Sequence, residues 1–295
     1  MTAPAAAHRV NLVGVGNMGG AIAANLLERG WSVSVSDIDA EKVEQFKRFG
    51  ASDQQIRAQE AIDFIATVVC VVDAPQVETV LFGADGLADQ LPPGHVVLLC
   101  PTLAPQQVEG FATRLAARGI LMLDAPMSGG PARARSGTMT LMVAGDRAAF
   151  ERLAPLLQAL ASPVFYIGEK AGDAARTKLV NNLLAGINLV GAAEALALAE
   201  RLGLDMAATL AVIEQSSGQS WIGSDRLRRA IAGDLAPRAH MTLLEKDTRL
   251  ALEAAGQAGF AGPLGTAASA VFAQASAAGL AGEDDGALLK FLQTR

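Results

Sequence analysis

Three short stretches of this sequence carry residue types at spacings that suit chemistry. The first, Gly14-Val15-Gly16-Asn17-Met18-Gly19, is a G-x-G-x-x-G pattern. It follows a short apolar run, Arg9 to Val15, and opens a stretch, Met18 to Arg29, whose apolar residues recur with helical period. Glycines in that setting permit a tight turn and close backbone approach, and the N–H groups and dipole at the helix start receive a pyrophosphate. Asp37 closes a second strand-like run, Ser32 to Ser36, 23 positions after Gly14, where an acidic side chain hydrogen-bonds the adenosine ribose hydroxyls. The same carboxylate repels a 2′-phosphate, and Ile38, Asp39 and Ala40 supply no arginine to hold one. NAD is therefore expected over NADP, with contacts from Gly14, Gly16, Asn17, Met18, Gly19 and Asp37.

The second stretch is Asp124-Ala125-Pro126-Met127-Ser128-Gly129-Gly130-Pro131, at the carboxyl end of an expected strand. Ligands of open parallel sheets bind at that edge. The Ser128 hydroxyl followed by the backbone N–H groups of Gly129 and Gly130 suits a substrate carboxylate, although an ordinary glycine turn fits the composition equally well. In the third stretch, Lys178-Leu179-Val180-Asn181-Asn182, Lys178 shares a helix face with both carboxamides at spacings of three and four. Polar groups in an otherwise apolar helix are costly without partners, so their alignment favours a site over a lysine that merely snorkels.

The elements that must position these residues follow from periodicity. Further strands are expected at Phe64 to Val72, His95 to Leu99, Leu121 to Asp124, Met139 to Ala144 and Val164 to Ile167, with helices such as Pro105 to Arg118 and Arg147 to Leu160 between them. Alternation at this spacing predicts an α/β fold: an N-terminal Rossmann domain, residues 1–168, with a doubly wound parallel sheet. After Gly168 the strand pattern disappears. Ala171 to Leu202 reads as one long helix, apolar on most faces, joining an all-α C-terminal domain over residues 169–295. Gly203, Gly218, Gly233, Gly259 and Gly279 stand where its helices should stop.

Composition limits the function. Of 295 residues, 51% are hydrophobic and 18% charged, with a net charge of -6, which excludes disorder over most of the length. Acidic balance without a dense basic run argues against nucleic acid; Arg226, Arg228 and Arg229, flanked by Asp225 and Asp234, read as a solvated helix face. Apolar stretches are short or interrupted by charges such as Glu194 and Glu200, arguing against a membrane span. Two cysteines, Cys70 and Cys100, make no disulfide framework, and no spacing suggests a metal site. A cytoplasmic, reduced setting is the default, and the small, apolar helical domain is expected to pack against a partner subunit as a homodimer or homotetramer.

These motifs, taken in order, resemble the β-hydroxyacid dehydrogenase family, which includes 3-hydroxyisobutyrate dehydrogenase, tartronate semialdehyde reductase and L-threonate dehydrogenase. The resemblance runs from Val13 to about Leu292 through the glycine fingerprint with Asn25-Leu26, Thr102 and Pro105, Asp124 to Gly130, Gly172 with Lys178 and Asn182, and Lys246-Asp247. It implies hydride transfer between NAD and the carbon bearing the β-hydroxyl of a small hydroxy acid. By that resemblance Lys178 is the general acid/base, Ser128, Gly129 and Gly130 bind the substrate carboxylate, and Asn182 orients the substrate. Thr102 matches a position near the nicotinamide, and Lys246 one that reaches cofactor or substrate as the cleft closes.

The chain departs from the family pattern in places. Leu99-Cys100-Pro101-Thr102 replaces an acidic residue and serines, and Ala239 stands where phenylalanine is common, with His240 beside it as a polar candidate for substrate binding. Val72 to Gln76, Val80 to Gly83 and Glu283 to Asp285 look most like the threonate branch, whereas Asn181-Asn182 follows the hydroxyisobutyrate pattern. Competing readings are tartronate semialdehyde reductase, an imine reductase, in which the lysine is usually replaced, and a catalytically silent NAD-binding scaffold. The retained Lys178, Ser128 and Asn182 weigh against the last two.

Overall fold

A computed structural model of the chain describes residues 8–53 and 63–295 and divides into two compact units, Met1–Lys178 and Leu179–Arg295. In the first unit the described strands form one sheet: β1 (Arg9–Val13), β2 (Ser32–Ser36), β3 (Ala66–Val69), β4 (Val96–Leu99), β5 (Leu121–Asp124), β6 (Met127–Ser128), β7 (Met139–Gly145) and β8 (Ala161–Gly168). They lie in the order β2-β1-β3-β4-β5-β7-β6, with β8 pairing β7. The inner strands are apolar at successive positions because helices cover both faces. Val10, Leu12, Val68 and Leu98 pack with Ile22 and Leu26 of α1 (Asn17–Glu28) on one side. Val69, Val97 and Leu99 pack on the other with Val77 and Leu81 of α3 (Ala74–Phe82) and with Val108 and Leu115 of α4 (Pro105–Ala116).

Helix starts follow side-chain chemistry. Asp39 accepts from the backbone of Glu41 and Lys42 to cap α2 (Ala40–Arg48), and Asp73 accepts from Gln76 to cap α3. Asn25, part of the fingerprint motif, is a packing residue: buried on α1, it donates from Nδ2 to the Ala159 carbonyl at 2.7 Å. Both cysteines are free thiols ending neighbouring strands; hydrogen bonding to Cys70 and burial push the Cys100 thiol upward, which keeps it unreactive.

Two expectations need correction. The sheet is parallel from β2 to β5 and again between β7 and β8, but β7 runs antiparallel to β5, pairing Leu123 with Gly145, and to β6. The link from β5 to β7 holds β6 and α5 (Gly130–Ser136). The helix expected over Arg147 to Leu160 is two, α6 (Arg147–Arg152) and α7 (Ala154–Leu160), because Pro155 lacks an N–H and its ring clashes with the preceding turn.

The long helix is α8 (Asp173–Arg201), followed by α9 (Met206–Glu214), α10 (Trp221–Ile231), α11 (Met241–Gln257), α12 (Pro263–Ala275) and α13 (Leu288–Gln293). Leu189, Ala193 and Leu196 of α8 form the core of the second unit with Leu227, Met241, Leu244, Phe272 and Leu288. Gly186 lets α8 and α11 approach closely: a Cβ there would lie 2.7 Å from the Thr248 methyl. Four of the five expected stop glycines have positive φ; Gly218 does not. Among the described residues α8 is the one helix long and apolar enough to cross a membrane, and 44% of its most apolar window is buried within the chain.

The arginines of α10 also depart from expectation. Arg228 is exposed, but Arg226 Nε donates to Asp285 at 2.6 Å and Arg229 Nη2 to Asp284 at 3.1 Å, with both guanidinium-bearing side chains 11% exposed. The acidic partners arrive from the turn before α13, a long way off in sequence. Burial pushes the Asp285 carboxyl up to about 6 despite the attraction of Arg226.

Candidate active site

In the first unit the glycine fingerprint joins β1 to α1. Gly14 has φ +89°, and its N–H donates to the Ser36 carbonyl at 2.8 Å; a Cβ there would lie 2.8 Å from the Cys70 carbonyl oxygen. A Cβ on Gly19 would lie 1.9 Å from the Gly14 carbonyl oxygen. These two positions are glycine for the protein's own packing. Gly16 is different: it is exposed, and nothing lies within 4 Å of where its Cβ would be. It is the N-cap of α1, yet no side chain caps that helix. Open space at the start of a helix is what a pyrophosphate requires, so these residues fit a dinucleotide.

Asp37 is tied to the same loop. Its Oδ2 accepts from Val15 N–H at 2.7 Å and its Oδ1 from Asp39 N–H at 2.9 Å. A carboxylate accepts about four hydrogen bonds, so capacity remains for ribose hydroxyls. Asn17 is exposed on the first turn of α1, whereas Met18 packs in part against the core. Thr102 is half-buried in the segment after β4.

At the end of β5 the chain enters the Ser128 segment. Ser128 lies opposite Thr140 of β7, and Gly129 and Gly130 have φ +127° and +72°, a region that disfavours side chains. Gly130 opens α5, so this is a strand-to-helix junction rather than an isolated turn. Asp124, the last residue of β5, is 1% exposed, and its Oδ2 accepts from Gly172 N–H at 3.0 Å and Ala175 N–H at 2.8 Å. Burial pushes its carboxyl up to about 6, outweighing these hydrogen bonds. Lys178 is buried on α8, one turn beyond Ala175.

In the second unit Asn182 is buried on α8. Its Nδ2 donates to Asp247 Oδ2 at 2.5 Å, and its Oδ1 accepts from Asn181 Nδ2 at 3.0 Å. Asp247 Oδ1 in turn pairs with Lys246 Nζ at 3.1 Å. Asn182 and Lys246 are thus joined through Asp247, a residue whose role sequence reasoning missed. The signal was available: with Leu244, Thr248 and Ala251 it occupies the buried stripe of α11, where a carboxylate needs a partner. His240 is exposed at the N-cap of α11, its Nδ1 2.9 Å from the Gly282 carbonyl.

Comparison with known proteins identifies the family. Residues 9–168 match the family model described as the NAD binding domain of 6-phosphogluconate dehydrogenase. Residues 172–292 match that described as NAD-binding of NADP-dependent 3-hydroxyisobutyrate dehydrogenase. The chain belongs to the β-hydroxyacid dehydrogenase family. It is 38% identical to the L-threonate dehydrogenase of Cupriavidus necator, covering 96% of this chain and 95% of that protein. The 3-hydroxyisobutyrate dehydrogenase of Pseudomonas aeruginosa is also 38% identical, over 72% of this chain and 71% of its own. A crystal structure of 3-hydroxyisobutyrate dehydrogenase from Salmonella typhimurium superposes with a TM-score of 0.88 at 36% identity, covering 96% of this chain and 99% of that one. As a family member the protein is a hydroxyacid dehydrogenase with a dinucleotide-binding domain.

Proposed function

We propose that this dehydrogenase uses NAD to oxidise a hydroxyl-bearing carbon of a small polyhydroxy acid of the L-threonate type, with Lys178 as general acid/base. The observation that carries the proton step is a lysine buried on α8 beyond the Asp124 anchor, one turn before the buried amide Asn182. When bound, the nicotinamide supplies the hydride acceptor. Lys178 Nζ takes the hydroxyl proton in oxidation and returns it in reduction, which requires a lysine neutral before the transfer. Ser128 and the N–H groups of Gly129 and Gly130 hold the substrate carboxylate, and Asn182 orients the substrate, with its own amide fixed by Asp247. Thr102 and Lys246 serve the cofactor. Asp37 supports NAD as the partner, since its charge opposes a 2′-phosphate.

The threonate class is supported by the near full-length match to the Cupriavidus necator enzyme. It also rests on His240. Donation from Nδ1–H to Gly282 leaves Nε2 as an acceptor, suited to a polyol hydroxyl that 3-hydroxyisobutyrate lacks. The test is NADH formation on L-threonate, 3-hydroxyisobutyrate, D-glycerate, L-serine and 3-hydroxypropionate, for the wild type and Lys178→Ala. Turnover of L-threonate that falls in Lys178→Ala by at least about 100-fold, to a small measurable residue, is expected; no turnover of any acid by a protein that binds NADH refutes the reading.

A homodimer or homotetramer completes the proposal. Nine of the fourteen exposed large apolar side chains among the described residues lie in the second unit, and Val180, Leu184 and Leu198 line one face of α8 at helical spacing. Light scattering at micromolar concentration should show at least a dimer, and a monomer overturns this part.

A further inference from the structure

Helix α8 begins without local means to cap itself. Gly172 precedes its first residue, Asp173, and Ala175 is the third helical residue. In a capping box those two positions exchange hydrogen bonds through their side chains. Glycine and alanine offer none. Asp124, 48 residues upstream of Gly172 on a different element, does both jobs: its Oδ2 alone accepts from Gly172 N–H at 3.0 Å and from Ala175 N–H at 2.8 Å. The carboxylate is 1% exposed, so water does not substitute for it. Gly172 is confined as well, with φ +94° and a Cβ position 3.1 Å from both Arg176 Nη1 and Glu109 Cγ. Glu109 on α4 pairs with Arg176 Nη2 at 2.5 Å, bracing the same turn from a second side.

The consequence concerns two groups at once. Ser128 stands four residues beyond Asp124 along the chain that leaves β5, and Lys178 stands three residues beyond Ala175 on the same helix face. One oxygen atom therefore ties the strand that leads into the carboxylate-binding segment to the turn that carries the lysine. We propose that Asp124 is a positioning residue for hydride transfer, a cross-element helix cap that fixes Lys178 relative to the Ser128–Gly130 segment. This inference rests on the assignment of Lys178 as the acid/base. A misplacement of about 1 Å in a reacting group costs on the order of 100-fold in rate, so the cap acts on kcat rather than on cofactor affinity.

The test compares Asp124→Asn, Asp124→Ala and Asp124→Glu in the full-length protein, with steady-state kinetics on whichever of L-threonate or 3-hydroxyisobutyrate the wild type turns over, and NADH titration by fluorescence. The carboxamide oxygen of the Asn variant can accept from both amides, so its kcat should stay within about 3-fold of wild type. The Ala variant should lose about 100-fold in kcat with NADH affinity unchanged. The Glu variant keeps the charge but displaces the acceptor by a methylene, so it should lose kcat too and decides the matter even if the Ala variant does not fold. In a Lys178→Ala background the Ala substitution should add little further loss, because the residue being positioned is gone.

Full kcat in a folded Ala or Glu variant overturns the positioning role. So does an Asn variant as impaired as Ala, or an equal loss in the Lys178→Ala background. Activity retained by Lys178→Ala alone would instead sink the acid/base assignment, which keeps the two failures apart.

Discussion

Substitution can separate the loop hydrogen bonds that the Asp37 carboxylate makes from its proposed hold on the cofactor. In Asp37→Asn the side chain keeps its size and one acceptor oxygen, so one of the two loop hydrogen bonds, from Val15 at 2.7 Å or Asp39 at 2.9 Å, survives. What disappears is the charge. Hydrogen bonds to a charged group contribute about 1.5–3 kcal/mol, and each 1.4 kcal/mol is tenfold in affinity, so NADH binding should weaken by roughly 10- to 100-fold. Binding of NADPH should strengthen as repulsion of the 2′-phosphate is removed. In Asp37→Ala the Val15 N–H, on a residue 3% exposed, loses its partner, which costs about 1–3 kcal/mol of stability besides the affinity. Fluorescence titration with NADH and NADPH reads the affinities, and urea unfolding reads the stability. The reasoning is refuted if the NADH to NADPH affinity ratio stays within about twofold of wild type in both folded variants.

The fingerprint glycines should part company under alanine substitution. Gly16→Ala should fold with unchanged thermal stability yet lose at least about tenfold in NADH affinity, whereas Gly19→Ala, with its Cβ 1.9 Å from a carbonyl oxygen, should be destabilised by more than about 3 kcal/mol; equal thermal stability of the two would contradict the packing argument. Arg226→Met strands the buried Asp285 carboxylate and should cost about 3–5 kcal/mol at pH 8. The Asp285 carboxyl titrates at about 6 in the folded protein, above 3.8. Its contribution is therefore full below pH 3.8 and lost as pH rises through 6. The deficit of the variant should accordingly shrink on acidification from pH 8 to 5, and a deficit that grows over that range would reverse the assignment.

What could be read from the sequence was whatever is encoded locally. Alternating apolar runs gave the β2 to β5 sheet and its helices, and the fingerprint with Asp37 fell within a single β-α-β unit, where spacing alone brings it together. Information was lost wherever a partner comes from far along the chain. The Arg226 and Arg229 side chains looked solvated because Asp284 and Asp285 lie more than fifty positions away. Asp124 looked like the end of a strand because the amides it caps are 48 and 51 residues downstream. Asp247 was visible as part of a motif, but its bond to Asn182 spans 65 residues. The reversal of β7 was hidden for another reason: a strand shows its apolar pattern equally well in either direction.

The unequal surroundings of the three fingerprint glycines bear on how such a sequence drifts. Gly14 and Gly19 answer to the fold, so any descendant that keeps the first strand and helix in place must keep them. Gly16 is crowded by nothing in the protein, so on the proposed reading it answers to the bound dinucleotide alone. A lineage that abandoned the cofactor would retain the outer two glycines and let the middle one wander. The motif would then persist as a fossil of the fold, with its one informative letter changed.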